Sequence, residues 1–272
     1  MLKTRVLTAL VIFPVTLAVV FLAPPLVFKG IIAILLMAGC HEFGRICDLS
    51  TRSTNILMVV QAALFAALFF AWDKITPHAV PVLAAACGAW LLLFTRLVTF
   101  KPDAKPDNAY RRFGFAAALV ALTSCWFALS WLHEQPRGEF VVFLLLLIIW
   151  ASDTGAYFAG VKFGRNKLAP SISPKKTWEG VYGGLLLALL AAWLWSGPIT
   201  QLGIDLLPLA AISIVTTATS ICGDLFISLH KRTVKLDDAG NLFPGHGGVL
   251  DRYDSLLPGA VFFALAFGVL AQ

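Results

Sequence analysis

The chain has 272 residues, 59% of them hydrophobic and 13% charged, with 21 Lys and Arg against 15 Asp and Glu for a net charge of +6. A mean hydropathy of +0.83 excludes an ordinary soluble domain and points to an all-α, polytopic transmembrane helical bundle. A basic balance in such a chain points to anionic headgroups or phosphates at one membrane face, and not to nucleic acid.

Taken in order, the apolar runs predict nine spans, at about 6–23, 26–44, 55–72, 78–95, 114–132, 140–161, 178–196, 206–228 and 256–271. Most approach the ~20 residues needed to cross a hydrocarbon core. The first follows Met1-Leu-Lys-Thr-Arg5, an opening that imitates a secretory signal. It ends in Leu22-Ala-Pro-Pro25 and not in a small-x-small cleavage site, so it counts as a span. Charge tests the partition. With the N-terminus in the cytoplasm, 18 of the 21 Lys and Arg fall in inner segments, leaving Lys29, Lys74 and Arg137 outside. Basic residues resist translocation, so this asymmetry predicts a multi-pass inner-membrane protein with its N-terminus in and its C-terminus out. Residues 1–272 read as a single membrane domain, in which 1–140 supply spans and 141–272 hold nearly all the polar constellations. The five Cys show no metal-binding spacing and are read as packing.

Polar residues inside the spans are the next signal. Glu42, near the end of the second span, can pair with Arg45 one turn on, and its role is left open. Asp153 lies in the interior of the sixth span, a costly position without an obvious packing reason. Ser173-Pro174 reads as the N-cap and first helical position of the seventh span. Lys175 and Lys176, followed by Thr177, would then fall in a first turn whose dipole disfavours cations, a placement that a bound anion would explain. Glu179, one turn deeper, is a candidate partner for a lysine or a metal-bound water.

In the eighth span Ser213, Thr217, Ser220, Asp224 and Ser228 recur at spacings of 4, 3, 4 and 4 and so share one helical face. The hydroxyls suit interhelical bonding, but a carboxylate there needs a partner. Lys231 and Arg232 follow, and then Pro244-Gly-His246-Gly247-Gly248, a turn whose backbone N–H groups suit an anion. Asp251 and Asp254 stand three apart at the start of the last span, with Arg252 between them. Together with Asp224 they form an oxygen-only set of the kind Mg²⁺ prefers, and which acids ligate directly is left open. No Ser-His-Asp or Cys-His nucleophile set is evident. That fits transfer to a phosphomonoester, which is already ionised near neutrality and needs no general base.

The run Ser228-x-x-Lys231-Arg232 … Asp238-x-Gly240 … Pro244-x-His246-Gly247-Gly248-Val-x-Asp251-Arg252-Tyr-Asp254 resembles the signature of bacterial phosphatidate cytidylyltransferases, the CDP-diacylglycerol synthases. Asp153-Thr-Gly-Ala-Tyr157 and Ser173-Pro-Lys-Lys-Thr-Trp-Glu179-Gly are similar to that family's second motif, and the resemblance is close over roughly 150–260. It implies condensation of CTP with phosphatidic acid to CDP-diacylglycerol and pyrophosphate, with Mg²⁺, at the cytoplasmic side of the membrane. It also implies Asp224 and Asp254 as metal ligands with Asp251 adjacent, these three and Lys176 carrying catalysis. Lys175, Lys176, Lys231, Arg232 and Arg252 would hold phosphates, and Asp153, Ser173, Thr177, Glu179, Ser228, His246, Gly247 and Gly248 would complete the substrate site. A second cation, monovalent or divalent, and a homodimer are left open. There is one departure: the family reads Lys-Asp-x-Gly where this chain has Asp237-Asp238-Ala-Gly240, with a lysine two positions earlier at Lys235. Two other classes fit less well. A secondary transporter of organic anions predicts inverted repeats, and none is visible. A CDP-alcohol phosphotransferase predicts an Asp-Gly … Ala-Arg … Gly … Asp … Asp string, which is absent.

Overall fold

The computed structural model describes residues 2–100, 105–242 and 247–270, with side chains from Leu10 onward. In chain order the helices are α1 (Leu2–Leu22), α2 (Pro25–Ile46), α3 (Thr51–Phe70), the single turn α4 (Trp72–Ile75), α5 (Ala79–Thr99), α6 (Asn108–His133), α7 (Gly138–Phe163), α8 (Trp178–Leu194), the short α9 (Ser196–Thr200), α10 (Leu206–Thr233), the single turn α11 (Leu250–Tyr253) and α12 (Leu256–Leu270). Seven stretches among the described residues are long and apolar enough to cross a membrane: Pro25–Ile46, Thr51–Phe70, Trp72–Thr99, Asn108–His133, Gly138–Phe163, Leu206–Thr233 and Leu250–Leu270. Leu10–Leu22 and Trp178–Leu194 are shorter apolar helices. The fold is an all-α polytopic bundle, and each predicted apolar run coincides with a helix.

Local chemistry sets the breaks between helices. Pro24 and Pro25 end α1 and open α2, where a missing N–H costs nothing. Ser50 accepts the Ser53 N–H at the start of α3 (3.2 Å), and Asp107 accepts the Tyr110 N–H at the start of α6 (2.7 Å).

Lipid offers helices no hydrophobic reason to associate, so close packing and polar ties must hold them. Both are present. Buried Ala117, Ala118, Ala121 and Ala128 make α6 a slim central helix. Gly155 of α7 and Gly183 of α8 bring those two backbones into contact, with no room for a Cβ at either. Gln61 donates to the Thr123 hydroxyl (2.9 Å), Trp90 to that of Ser124 (3.2 Å), and Trp126 to the Lys29 carbonyl (3.0 Å). At the end of the bundle where α2 begins, the Lys29 ammonium pairs with Glu134 and lies 3.6 Å from the centre of the Trp72 ring. The Trp72 indole in turn donates to Glu134 (2.6 Å). At the opposite end Arg111 pairs with Asp48 (2.6 Å), and the Tyr110 hydroxyl donates to the Ile46 carbonyl (2.9 Å) while meeting Nδ1 of His230 (2.8 Å).

One sequence expectation fails at α8. Between α7 and α8 the chain forms an antiparallel hairpin of β1 (Lys167–Ala169) and β2 (Ser173–Thr177), with Lys167 opposite Thr177 and Ala169 opposite Ser173. The helix therefore starts at Trp178. Thr177 is its cap, accepting the Gly180 N–H at 3.2 Å, and Trp178 N–H donates to the Asn166 carbonyl (2.9 Å). Pairing with β1 keeps residues 173–177 extended, so Ser173 cannot cap the helix. Lys175 and Lys176 lie on a strand, and the helix-dipole argument for an anion there does not apply.

Candidate active site

Three elements converge beneath the hairpin. Asp224 comes from α10, Asp153 from α7 and Lys176 from β2. All three line a cavity of about 330 Å³ together with Ser152, Tyr157, Lys175, Thr177 and Ile221. The Lys176 ammonium lies 2.7 Å from Asp224 Oδ2, and the Ser228 hydroxyl donates to Oδ1 of the same carboxylate (3.1 Å). Asp254, just past α11, lies within electrostatic range of Asp224, Asp153 and Lys176. Its Oδ1 accepts the Ser255 N–H (2.7 Å), and no Lys or Arg pairs with it among the described residues. The spacing of 4 between Asp224 and Ser228 on one helix face thus does what it predicts, with the hydroxyl reaching the carboxylate one turn back.

Arg252 reaches the same group from another side. It is within electrostatic range of Asp153, and the two line a second cavity of about 440 Å³ with Thr154, Trp150 and Ile12, Phe13 and Thr16 of α1. Three carboxylates and the cations of Lys175, Lys176 and Arg252 therefore share a site framed by apolar helices. The donors are all hard oxygens, which suits Mg²⁺. No group of three His, Cys, Asp or Glu side chains close enough to hold a metal by themselves occurs among the described residues. A magnesium ion commonly takes only one or two protein carboxylates and fills its remaining positions with water and phosphate, so the donor set fits such an ion.

Asp251 does not join this group. Its Oδ1 accepts from the Lys231 ammonium (2.6 Å), while Oδ2 takes the N–H groups of Ala239 (2.8 Å) and Gly248 (2.9 Å). With its side chain only 4% exposed and both oxygens engaged, Asp251 ties a loop in this structure. Lys231 is its ion-pair partner. Arg232 turns outward to Asp237 (3.1 Å), whose side chain is 97% exposed. The departure from the family pattern at Asp237 thus lies on the surface, and Lys235, also exposed, ends α10 with a left-handed φ of 57°. Glu179 meets neither a lysine nor the acidic group. It accepts from the backbones of Arg165 (3.1 Å) and Asn166 (3.2 Å) and from the Asn166 side chain (2.7 Å), which shapes the turn before the hairpin. Ser173 is the partly exposed start of β2. Gly247 has a φ of +82° that favours glycine, Gly248 packs on the Glu42 carboxylate, and His246 lies outside the described residues.

Glu42 is the residue whose place the sequence did not disclose. It makes no ion pair with Arg45, and instead accepts the backbone N–H groups of Val249 (3.0 Å) and Leu250 (2.8 Å) across the bundle.

The profile of the cytidylyltransferase family matches residues 3–270, almost the whole chain. The chain belongs to this family. Among curated relatives, the phosphatidate cytidylyltransferase of Pseudomonas aeruginosa is 38% identical over 266 residues, covering 97% of this chain and 96% of the relative. The Haemophilus influenzae protein of that name is 31% identical over 97% of this chain and 98% of its own, and the Thermotoga maritima one 32% over 99% and 97%. As a cytidylyltransferase the protein is an enzyme of the nucleotidyltransferase class, and the matched region contains every acid and base described above.

Proposed function

We propose that this cytidylyltransferase condenses CTP with phosphatidic acid, giving CDP-diacylglycerol and pyrophosphate, in a Mg²⁺-dependent reaction at the cytoplasmic face of the inner membrane. The observation that carries the reading is the meeting of Asp224, Asp153 and Asp254 with Lys176 and Arg252 in a site open to two cavities. An apolar cavity of about 240 Å³ adjoins it, sharing Ile12 and Thr16 with the Arg252 cavity and lined further by Val15, Phe28, Ile32 and Tyr253. Acyl chains suit such a lining while a phosphate sits near Arg252, which favours a lipid substrate. The names of the relatives favour the same substrate, and the inward bias of Lys and Arg favours the cytoplasmic side.

The residues have separable tasks. Arg252, Lys175 and Lys176 hold phosphate oxygens and offset the negative charge that two anionic substrates bring together. Asp224 holds Lys176 in place by its ion pair, and Ser228 orients Asp224. Bound Mg²⁺, held by Asp224 and Asp254, would neutralise charge on the phosphates. The phosphatidate oxygen then attacks the α-phosphorus of CTP, the bond to the β-phosphate oxygen breaks, and pyrophosphate leaves with its electron pair. No proton has to be removed from the nucleophile, because a phosphomonoester is already ionised near neutrality.

The test uses detergent-solubilised enzyme with labelled CTP, phosphatidic acid and Mg²⁺. Labelled CDP-lipid should appear with one pyrophosphate per turnover, and neither should form when phosphatidic acid is omitted. Pyrophosphate release without a lipid product would overturn the assignment.

A further inference from the structure

We propose that Glu42 is a positioning residue for the transfer reaction: it pins the start of the segment that carries Arg252 and Asp254, and so sets where those side chains enter the site. The inference rests on the function proposed above.

Glu42 sits near the end of α2 and is 6% exposed, with no cation paired to it among the described residues. A buried carboxylate without a cation is unfavourable unless strong donors satisfy it. Here the donors are two backbone N–H groups from 207 and 208 residues further on, those of Val249 at Oε1 and Leu250 at Oε2. The surrounding chain is shaped to permit this. Gly240 and Gly248 both press their backbones on the carboxylate and leave no room for a Cβ. Gly39, one turn before Glu42, faces the Leu250 side chain. From the other side Asp251 grips Lys231, Ala239 and Gly248. Residues 248–251 are thus clamped between α2 and α10.

Arg252 and Asp254 follow Leu250 by two and four residues, within or just past the single turn α11. Such a short connection passes any shift at Leu250 directly to both. Glu42 lines none of the cavities around the acidic group, so its influence runs through the segment and not through contact with substrate. Reaction geometry tolerates little displacement of the groups that hold the transferring phosphate.

Glu42→Gln tests this, because the amide keeps the shape but turns an NH₂ donor toward one of the two N–H groups. With CTP, phosphatidic acid and Mg²⁺, kcat per folded molecule should fall roughly tenfold or more, while KM for CTP stays within about twofold. Glu42→Asp keeps both acceptors and should recover part of the loss. Hydrogen exchange at the Val249 and Leu250 amides should speed up in Glu42→Gln, a readout independent of turnover. An unchanged kcat per folded molecule, or unchanged exchange, would overturn the proposal while leaving the reaction standing. Should Glu42→Gln not survive extraction, Glu42→Asp carries the same comparison, with a smaller loss of kcat and faster exchange expected and wild-type values for either overturning it. If the wild-type protein forms no CDP-lipid, the reaction itself is at fault, and the positioning role falls with it.

Discussion

Lys29–Glu134 and Lys176–Asp224 are both lysine–carboxylate pairs, at opposite ends of the bundle. They differ in what surrounds them. The Lys29 ammonium has Trp72 over it, Glu134 accepts from the Trp72 indole, and the Lys29 carbonyl accepts from Trp126. Its charge is matched one to one and packed among aromatic rings. The Lys176 ammonium instead faces Asp224 with Asp153 and Asp254 nearby, and an adjoining cavity of about 330 Å³. A pair packed against aromatic rings holds helices together. A pair with space beside it is equipped to exchange partners, as the proposed phosphate-handling site requires.

Breaking the open pair should have the largest effect on activity. Asp224→Asn and Asp254→Asn should each lower kcat on the order of 10²–10³-fold with membrane insertion retained, as read by CDP-lipid formation and by yield from the membrane fraction. Lys176→Ala removes one charge-assisted contact and should raise KM for an anionic substrate roughly tenfold or more; an unchanged KM would leave that lysine a topology signal only. Breaking the closed pair should do the reverse. Lys29→Met leaves the partly exposed Glu134 without its cation and should lower the unfolding temperature in detergent, while kcat of the folded fraction is kept. The smallest effect is expected at Arg232→Ala, which removes an exposed pair with Asp237. Such pairs contribute little, so KM for CTP and unfolding temperature should both match wild type, and a raised KM would return Arg232 to the phosphate site.

Much of this contrast is legible in the chain. Apolar length located every long helix, because the bilayer requires runs of near-constant size. Helical spacing joined Asp224 to Ser228, and the cost of an acid among lipid-facing helices singled out Asp153. Other features were not legible, each for a physical reason. The strand pairing of Ser173–Thr177 depends on a partner, Lys167–Ala169, with no alternating pattern of its own. Asp251 and Asp254 share a helical spacing of three, but the chain turns between α11 and α12, so one faces the loop and the other the acidic group. Glu42 is satisfied by N–H groups more than 200 residues away, and backbone donors leave no mark in a sequence. The nearest clue was the pair Gly240 and Gly248, whose missing side chains make way for that carboxylate.

The contact of α7 with α8 through Gly155 and Gly183 has a mechanical consequence. Two helices touching backbone to backbone tilt as one rigid lever, and the hairpin bearing Lys176 joins the end of one to the start of the other, while Asp224 rides on a different helix. A thicker or thinner bilayer changes the tilt that such a lever adopts, and so shifts ammonium against carboxylate.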